Sequence, residues 1–146
     1  MKRKINQVGI KLIQFFEGFS PTPYHCANGY KTIGYGHKLR ESENFVTLTE
    51  REGYEILMKD LEIAEEGVSR YINANITDNQ FSALVSFTFN LGAGALQRST
   101  LRQKINYGSA LEEVSEEFLK WVFCSGRKVR GLVERREAEA MIYYNG

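Results

Sequence analysis

Apolar residues recur at helical spacing along most of this chain. Ile5, Val8, Leu12, Phe15 and Phe19 step by alternating threes and fours, which predicts a first amphipathic helix with that stripe turned inward. Glu17 is followed at once by Gly18, the residue type that most often ends a helix, so Glu17 is expected at a helix C-terminus. Residues 18–37 then alternate around a turn signal, Asn28-Gly29, and predict a short hairpin with Cys26 and Thr32 on its two arms. A polar connection over residues 40–47 leads to Thr49, which pairs with Glu52 as a capping box. Beyond it Tyr54, Leu57, Leu61, Ala64, Val68 and Tyr71 predict one helix of about 22 residues, on the order of 33 Å long. The same stripe could serve as a coiled-coil seam, but about three heptads suit a core-facing helix better.

The second half continues the helical pattern. Thr77 and Gln80 form another capping box before Phe81, Leu84, Val85 and Thr88, with Gly92 and Gly94 ending that helix. A short helix is expected from Thr100, matched by Gln103, to near Gly108. Ser109 with Glu112 should cap another, whose buried stripe is Leu111, Val114, Phe118 and Trp121. A loop from Cys124 to Gly131 precedes a last helix through Leu132, Val133, Ala140 and Met141. Strand and helix are segregated, so the fold class is α+β and mostly helical. The expected organisation is one domain over 1–146: a small hairpin lobe over 14–48, a connecting helix over 50–72, and a helical lobe over 73–146 on which the first helix packs.

Composition narrows the function classes. A chain of 146 residues buries roughly two thirds of its unfolded surface without disulfides or metals. With 42% hydrophobic and 25% charged residues it is too apolar for a disordered segment. A net charge of +1 gives no bulk attraction to nucleic acid. Six cations, Lys120, Arg127, Lys128, Arg130, Arg135 and Arg136, crowd one segment and could grip an anionic polymer, although a solvated charged surface is the commoner reading. Cys26 and Cys124 lack zinc-like spacing and are too few for a disulfide scaffold, so free thiols and no metal or cofactor are expected. Lys2, Arg3 and Lys4 precede apolar residues as in a signal peptide, yet Asn6, Gln7, Lys11 and Gln14 interrupt the run. No stretch reaches the roughly 18 apolar residues of a membrane span, so neither an export signal nor a membrane anchor is expected.

The reactive groups concentrate in EGFSPTPYHCANGYKTIGYGH, residues 17–37. The negative end of a helix disfavours a second negative charge, which suits Glu17 to act as a general acid; a solvated surface glutamate is the alternative. Eight residues separate Glu17 from Cys26 and five separate Cys26 from Thr32. His25 beside Cys26 invites a Cys–His dyad, but neighbouring strand residues point to opposite faces.

The pattern Glu-x8-Cys-x5-Thr, followed by Ile33-Gly34-Tyr35-Gly36-His37, resembles the active-site segment of the phage lysozymes, the endolysin family that cleaves peptidoglycan glycan strands. In that family the middle position is usually Asp. The resemblance extends to TDNQFSALVSFTFNLGAG, STLRQKIN and FLKWVFCSGRKVRGLVERREAE, and so covers essentially the whole chain. It implies two lobes bridged by the long helix, with a sugar polymer in the cleft between them. It further implies a muramidase hydrolysing the β-1,4 bond between N-acetylmuramic acid and N-acetylglucosamine. By this resemblance Glu17 is the acid, Cys26 and Thr32 hold the attacking water, and Gly36, Phe89, Asn90 and Thr100 border the substrate. His37 is read as structural support and Arg135 as the ion-pair partner of Glu17. The implied protein is a monomer whose partner is the peptidoglycan strand, held in the host cytoplasm and acting on the wall after release.

Glycoside hydrolysis needs an acid on the leaving oxygen and a second group on the opposite face. The chain's aspartates, Asp60 and Asp78, fall on predicted helices, which leaves Cys26 for the second role. An ordinary thiol is only a few per cent thiolate at neutral pH. With Thr32 it could deprotonate a water and give inversion, as a nucleophile it would give retention, and as a small packed residue it would do neither. The presence of Thr32 favours the first role. Two readings of the whole chain compete with hydrolysis. One is an inactive glycan-binding protein on the same fold, and the other is membrane disruption by the basic C-terminal helix, against which Glu134, Glu137 and Glu139 argue. A Cys26–Cys124 disulfide, formed in an oxidising space, would block the site.

Overall fold

The computed structural model describes residues 2–26 and 29–146; Asn28 of the expected turn lies outside the described residues. Helix α1 spans Gln7–Glu17, with Asn6 capping its start through a bond from the Gly9 amide and Gly18, at φ +67°, ending it. The buried face differs from the expected stripe. Ile10 and Ile13 point inward with Ile5, whereas Val8 and Phe15 are exposed. Gly9 explains the rotation: a Cβ there would come within 2.8 Å of the Ser82 Cβ, so this face of α1 approaches its neighbour more closely than a side chain would allow. Periodicity alone treats glycine as neutral and therefore selected the wrong face.

After α1 come β1 (Ser20–His25), β2 (Lys31–Gly34) and β3 (His37–Lys38), an antiparallel sheet in that order. Tyr24 stands opposite Thr32 and His25 opposite Lys31, while the register slips between Ser20 and Tyr24. Pro21 and Pro23 occupy that interval and offer no amide to the ladder. Cys26 follows the last residue of β1 rather than lying within the strand, and its amide bonds the Tyr30 carbonyl at 3.0 Å. The expected hairpin is thus the first pair of a three-stranded sheet, which rests on the next helix through β2 and β3.

Helix α2 (Glu50–Tyr71) runs for 22 residues from the Thr49–Glu52 capping box and buries Leu57, Leu61, Ala64 and Val68. Helix α3 (Asp78–Leu91), opened by the Thr77–Gln80 box, is buried without interruption from Phe81 to Thr88. A helix buried on all sides is the centre of a core. Helices α1, α2 and the last helix all pack against it.

Three local expectations are corrected beyond α3. Gly92 ends α3 but Gly94 lies within a further short helix, α4 (Ala93–Arg98). Ser99, not Thr100, caps α5 (Thr100–Tyr107), accepting from the Arg102 amide. Helix α6 (Leu111–Phe118) starts after Ala110 with no side-chain cap, because the Ser109 amide closes the end of α5 on the Lys104 carbonyl. Phe118 stacks edge-on against Phe87, and Trp121, beyond the end of α6, does the same.

The segment expected as a loop forms a small hairpin, β4 (Phe123–Cys124) with β5 (Arg127–Lys128). Ser125 and Gly126 between them both have positive φ, +51° and +78°, the conformation of a tight two-residue hairpin turn. Helix α7 (Arg130–Asn145) closes the chain and buries Arg135, Arg136, Glu139, Ala140 and Tyr143. The cationic cluster is therefore not one face. Arg135 and Arg136 are internal, Lys120 and Arg130 pair with Glu117 and Glu134, and Arg127 and Lys128 lie exposed on β5.

Candidate active site

Glu17 ends α1 and its side chain is mostly enclosed, with 19% of its surface exposed. Its Oε2 accepts from Arg135 Nη1 of α7 at 2.7 Å. Its Oε1 faces the turn between β2 and β3, where a Cβ on Gly36 would stand only 2.5 Å away. Gly36 also has φ +77°, so both space and backbone conformation call for glycine. The carboxyl is thus held between a side chain of α7 and a turn of the sheet.

Cys26 and Thr32 meet at one acceptor. The Cys26 amide and the Thr32 hydroxyl both donate to the Tyr30 carbonyl, at 3.0 and 3.2 Å. Thr32 is buried and Cys26 half-buried, and neither Cys26 nor Cys124 is in a disulfide. Tyr24, across the ladder from Thr32, connects this pair to Glu17. Its phenol is raised above the ordinary value by partial burial first, then by the negative charges of Glu17 and of a Cys26 thiolate. Glu17 and Cys26 therefore both lie within electrostatic reach of one side chain.

A cavity of about 470 Å³ opens beside this group between the sheet, α2 and α3. Gly36, His37 and Lys38 form one wall, Asp60 and Ala64 another, and Thr88 and Phe89 a third. Lys38, Arg40 and Asp60 bring charged groups to a lining that is otherwise mostly apolar. Phe89 lines it while also packing on the core. Asn90 is half-buried, with Oδ1 lacking a hydrogen-bond partner. Thr100 opens α5, is exposed, and does not line this cavity.

His37 is buried in the cavity wall between two carboxylates. Its Nδ1 stands 2.7 Å from Asp60 Oδ2 of α2, and its Nε2 stands 3.1 Å from Glu43 Oε2. The bond to Asp60 is the largest influence and raises the imidazole above its ordinary value, against the opposing effect of burial. Glu43 is lowered, first by the Arg40 amide and then by His37. With a carboxylate facing each ring nitrogen, His37 clamps the sheet to α2 rather than standing as a free base. His25 is exposed at the end of β1. Among the described residues no cluster of three His, Cys, Asp or Glu side chains could hold a metal ion.

The family model described as "Phage lysozyme" matches residues 14–139, which takes in α1's end, the sheet and α7 as far as Glu139. This chain belongs to the phage lysozyme family. An endolysin of Bacillus phage B103 is 38% identical over 144 residues, covering 97% of this chain but 54% of that protein, so the chain spans about half of that relative. The muramidase domain of SpmX from Asticaccaulis excentricus superposes with TM-score 0.86 at 30% identity, covering 97% of each chain. The endolysin from Escherichia coli O157:H7 phage FAHEc1 gives the same TM-score at 32% identity, covering 98% of this chain and 94% of its own. Among the described residues no helix is long and apolar enough to cross a membrane.

Several residues near Glu17 escaped the sequence reading. Tyr24 carried no signal beyond strand alternation, and Asp60 and Glu43 are joined to His37 only by the fold. Glu139 and Ser86, which hold Arg135 from behind, had a partial signal. Arg135 and Arg136 lie four and three residues before Glu139, the spacings that bring side chains together on a helix.

Proposed function

We propose that this protein hydrolyses the β-1,4 bond between N-acetylmuramic acid and N-acetylglucosamine in peptidoglycan, with Glu17 as general acid. The observation that carries the reading is the seating of Glu17 between Arg135 and Gly36, beside an open cavity, with Tyr24 within electrostatic reach of both Glu17 and Cys26. Glu17 protonates the leaving glycosidic oxygen, and an attacking water on the opposite face of the sugar is held by Cys26 and Thr32. The Thr32 hydroxyl donates to the Tyr30 carbonyl, so toward a water it acts as an acceptor. The water hydrogen-bonds to Thr32 Oγ1 and loses one proton to the Cys26 thiolate as its oxygen bonds the anomeric carbon, which inverts as the bond to the protonated leaving oxygen breaks. Gly36 and Phe89 flank the strand, with Asn90 and Thr100 contacting its more distant units. The protein acts as a monomer, without metal or cofactor, on a wall it reaches after release from the cytoplasm.

The test is clearing of a purified peptidoglycan suspension under reductant by the native protein, Glu17→Gln and Cys26→Ser. Clearing by the native protein alone supports the full reading. Full activity of Cys26→Ser removes the thiol from the mechanism, and a product of retained configuration removes the water-activating role. Binding without clearing by the native protein replaces hydrolysis with glycan recognition.

A further inference from the structure

Polar groups that the proposed reaction leaves without a task gather behind Arg135. Glu139 and Arg136 of α7 are both fully enclosed, at 0% exposure, and Ser86 of α3 is buried beside them. Taking two such charges out of water costs more than their attraction returns unless further bonds satisfy them, so stability alone does not account for the pair. Glu139 Oε2 accepts from Ser86 Oγ at 2.6 Å, Arg136 Nη2 at 3.0 Å and Arg135 Nε at 3.4 Å. Arg136 Nε lies 2.7 Å from Glu139 Oε1, in contact as an ion pair though not aligned as a hydrogen bond. Arg135 Nη2 is 3.4 Å from both the carbonyl and the hydroxyl of Ser86.

Two of the three guanidinium nitrogens of Arg135 are therefore held from the core side, and the third, Nη1, is 2.7 Å from Glu17. A guanidinium is planar and rigid, so fixing Nε and Nη2 fixes where Nη1 points. Charges alternate along the row Glu17, Arg135, Glu139, Arg136. Arg136 brings a positive charge against Glu139 inside the core, and its own Nη1 is buried without a hydrogen-bond partner.

We propose that Glu139 is a positioning residue for catalysis: seated on Ser86 and Arg136, it orients Arg135 so that Nη1 holds the Glu17 carboxyl against the cleft. This rests on Glu17 being the acid of the proposed reaction. The competing account is that Glu139 only neutralises Arg136, and the two accounts separate when both charges are removed together.

Initial rates of reducing-end release are measured against peptidoglycan concentration for the native protein, Glu17→Gln, Glu139→Asp and the double variant Arg136→Met/Glu139→Gln, each with a melting curve. A native protein that releases no reducing ends, or a fully active Glu17→Gln, defeats the reading of Glu17 itself, whatever Glu139 does. The double variant loses one charge of each sign and keeps the core neutral. It is expected to fold cooperatively with kcat reduced roughly ten- to hundredfold, as displacement of a catalytic group by part of an ångström would cause. Its KM is expected within about twofold of native, because strand binding is left intact. Glu139→Asp, which keeps the charge but withdraws the carboxylate, falls in the same direction by less and decides the matter if the double variant does not fold. A kcat within about twofold of native in either folded variant, or a loss confined to KM, overturns the proposal.

Discussion

The α-carbon of Gly36 stands so close to Glu17 that a Cβ would lie 2.5 Å from Oε1 and 2.9 Å from the carboxyl carbon. The turn at Gly36 is thereby one wall of the seat for Glu17, and Arg135 is the other. Gly36→Ala must either push the carboxyl off Arg135 or move the turn, and it also places a non-glycine residue at φ +77°. The expected result is a stability loss of about 1–3 kcal/mol by melting, from the strained backbone. Peptidoglycan clearing is expected to fall further than stability does, by about a hundredfold, because a displacement of the order of 1 Å at a reacting group costs that much. A variant that melts lower yet clears at the native rate would dissociate Gly36 from the placement of Glu17.

The resemblance to the phage lysozymes puts Cys26 where an Asp is expected, and the proposed water-activating role gives the thiol the work of that carboxylate. A thiol is intrinsically a far weaker acid than a carboxylic acid. Cys26→Asp is therefore expected to raise kcat at pH 7 by about tenfold, provided the carboxylate occupies the same place. In a Cys124→Ser background, iodoacetamide should abolish native activity and leave Cys26→Asp untouched. Rates measured across pH 5–8 should climb more steeply on the acid side for the native protein than for Cys26→Asp. Identical profiles, or activity that survives alkylation, would show that the thiol takes no part.

What the sequence revealed depended on whether a feature is local. The Thr49–Glu52 and Thr77–Gln80 boxes lie within one turn of chain and marked the starts of α2 and α3. The segment from Glu17 to His37 stands out through its resemblance to the phage lysozymes, which rests on residues within one short stretch of chain. The buried face of α1 was misread because Gly9 replaces a side chain by a close approach to Ser82, which no hydrophobic periodicity encodes. The hairpin of β4 and β5 has two-residue strands, too short for alternation to register. Asp60, Glu43 and Tyr24 enter the site from different elements, and only the packing of the sheet on α2 brings them to it.

The His37 clamp makes stability depend on pH in a defined direction. His37 has its folded-state value raised, so its contribution is fully present below the unfolded value of about 6.5 and is lost as pH rises through the folded value. Glu43 has its folded value lowered, so its contribution is present above the unfolded value and is lost as pH falls through the folded one. Together they place the clamp's greatest contribution between about pH 5 and 6.5. Asp60→Asn removes the charged partner at 2.7 Å and is expected to cost about 1–3 kcal/mol in that window. The difference in melting temperature between native and Asp60→Asn should shrink as pH rises from 6 to 9. A difference that stays constant over that range would mean that His37 is not charged in the folded protein.

Gly9 governs how closely α1 packs on α3, away from the site. A Cβ at Gly9 would come within 2.7 Å of the Ile5 side chain and 2.8 Å of the Ser82 Cβ, so Gly9→Ala forces α1 away from α3 or shifts Ile5. Ile5 is itself anchored, its amide donating to Glu65 at 2.7 Å, and the Asn6 amide donates to the Ser82 hydroxyl at 2.9 Å. The start of α1 thus has little freedom to yield, and alanine's better helix propensity does not offset the clash. Overpacking of this kind is expected to lower stability by about 1–3 kcal/mol in denaturant unfolding. Glu17 sits at the far end of the helix, two turns from the substitution, where Arg135 and Gly36 hold it independently. Clearing activity per folded molecule, measured well below the melting transition, is therefore expected to match native. A Gly9→Ala protein as stable as native would show that the approach of α1 to α3 has slack, and one that is stable but inactive would show that Glu17 takes its position from the whole of α1 rather than from its two immediate neighbours.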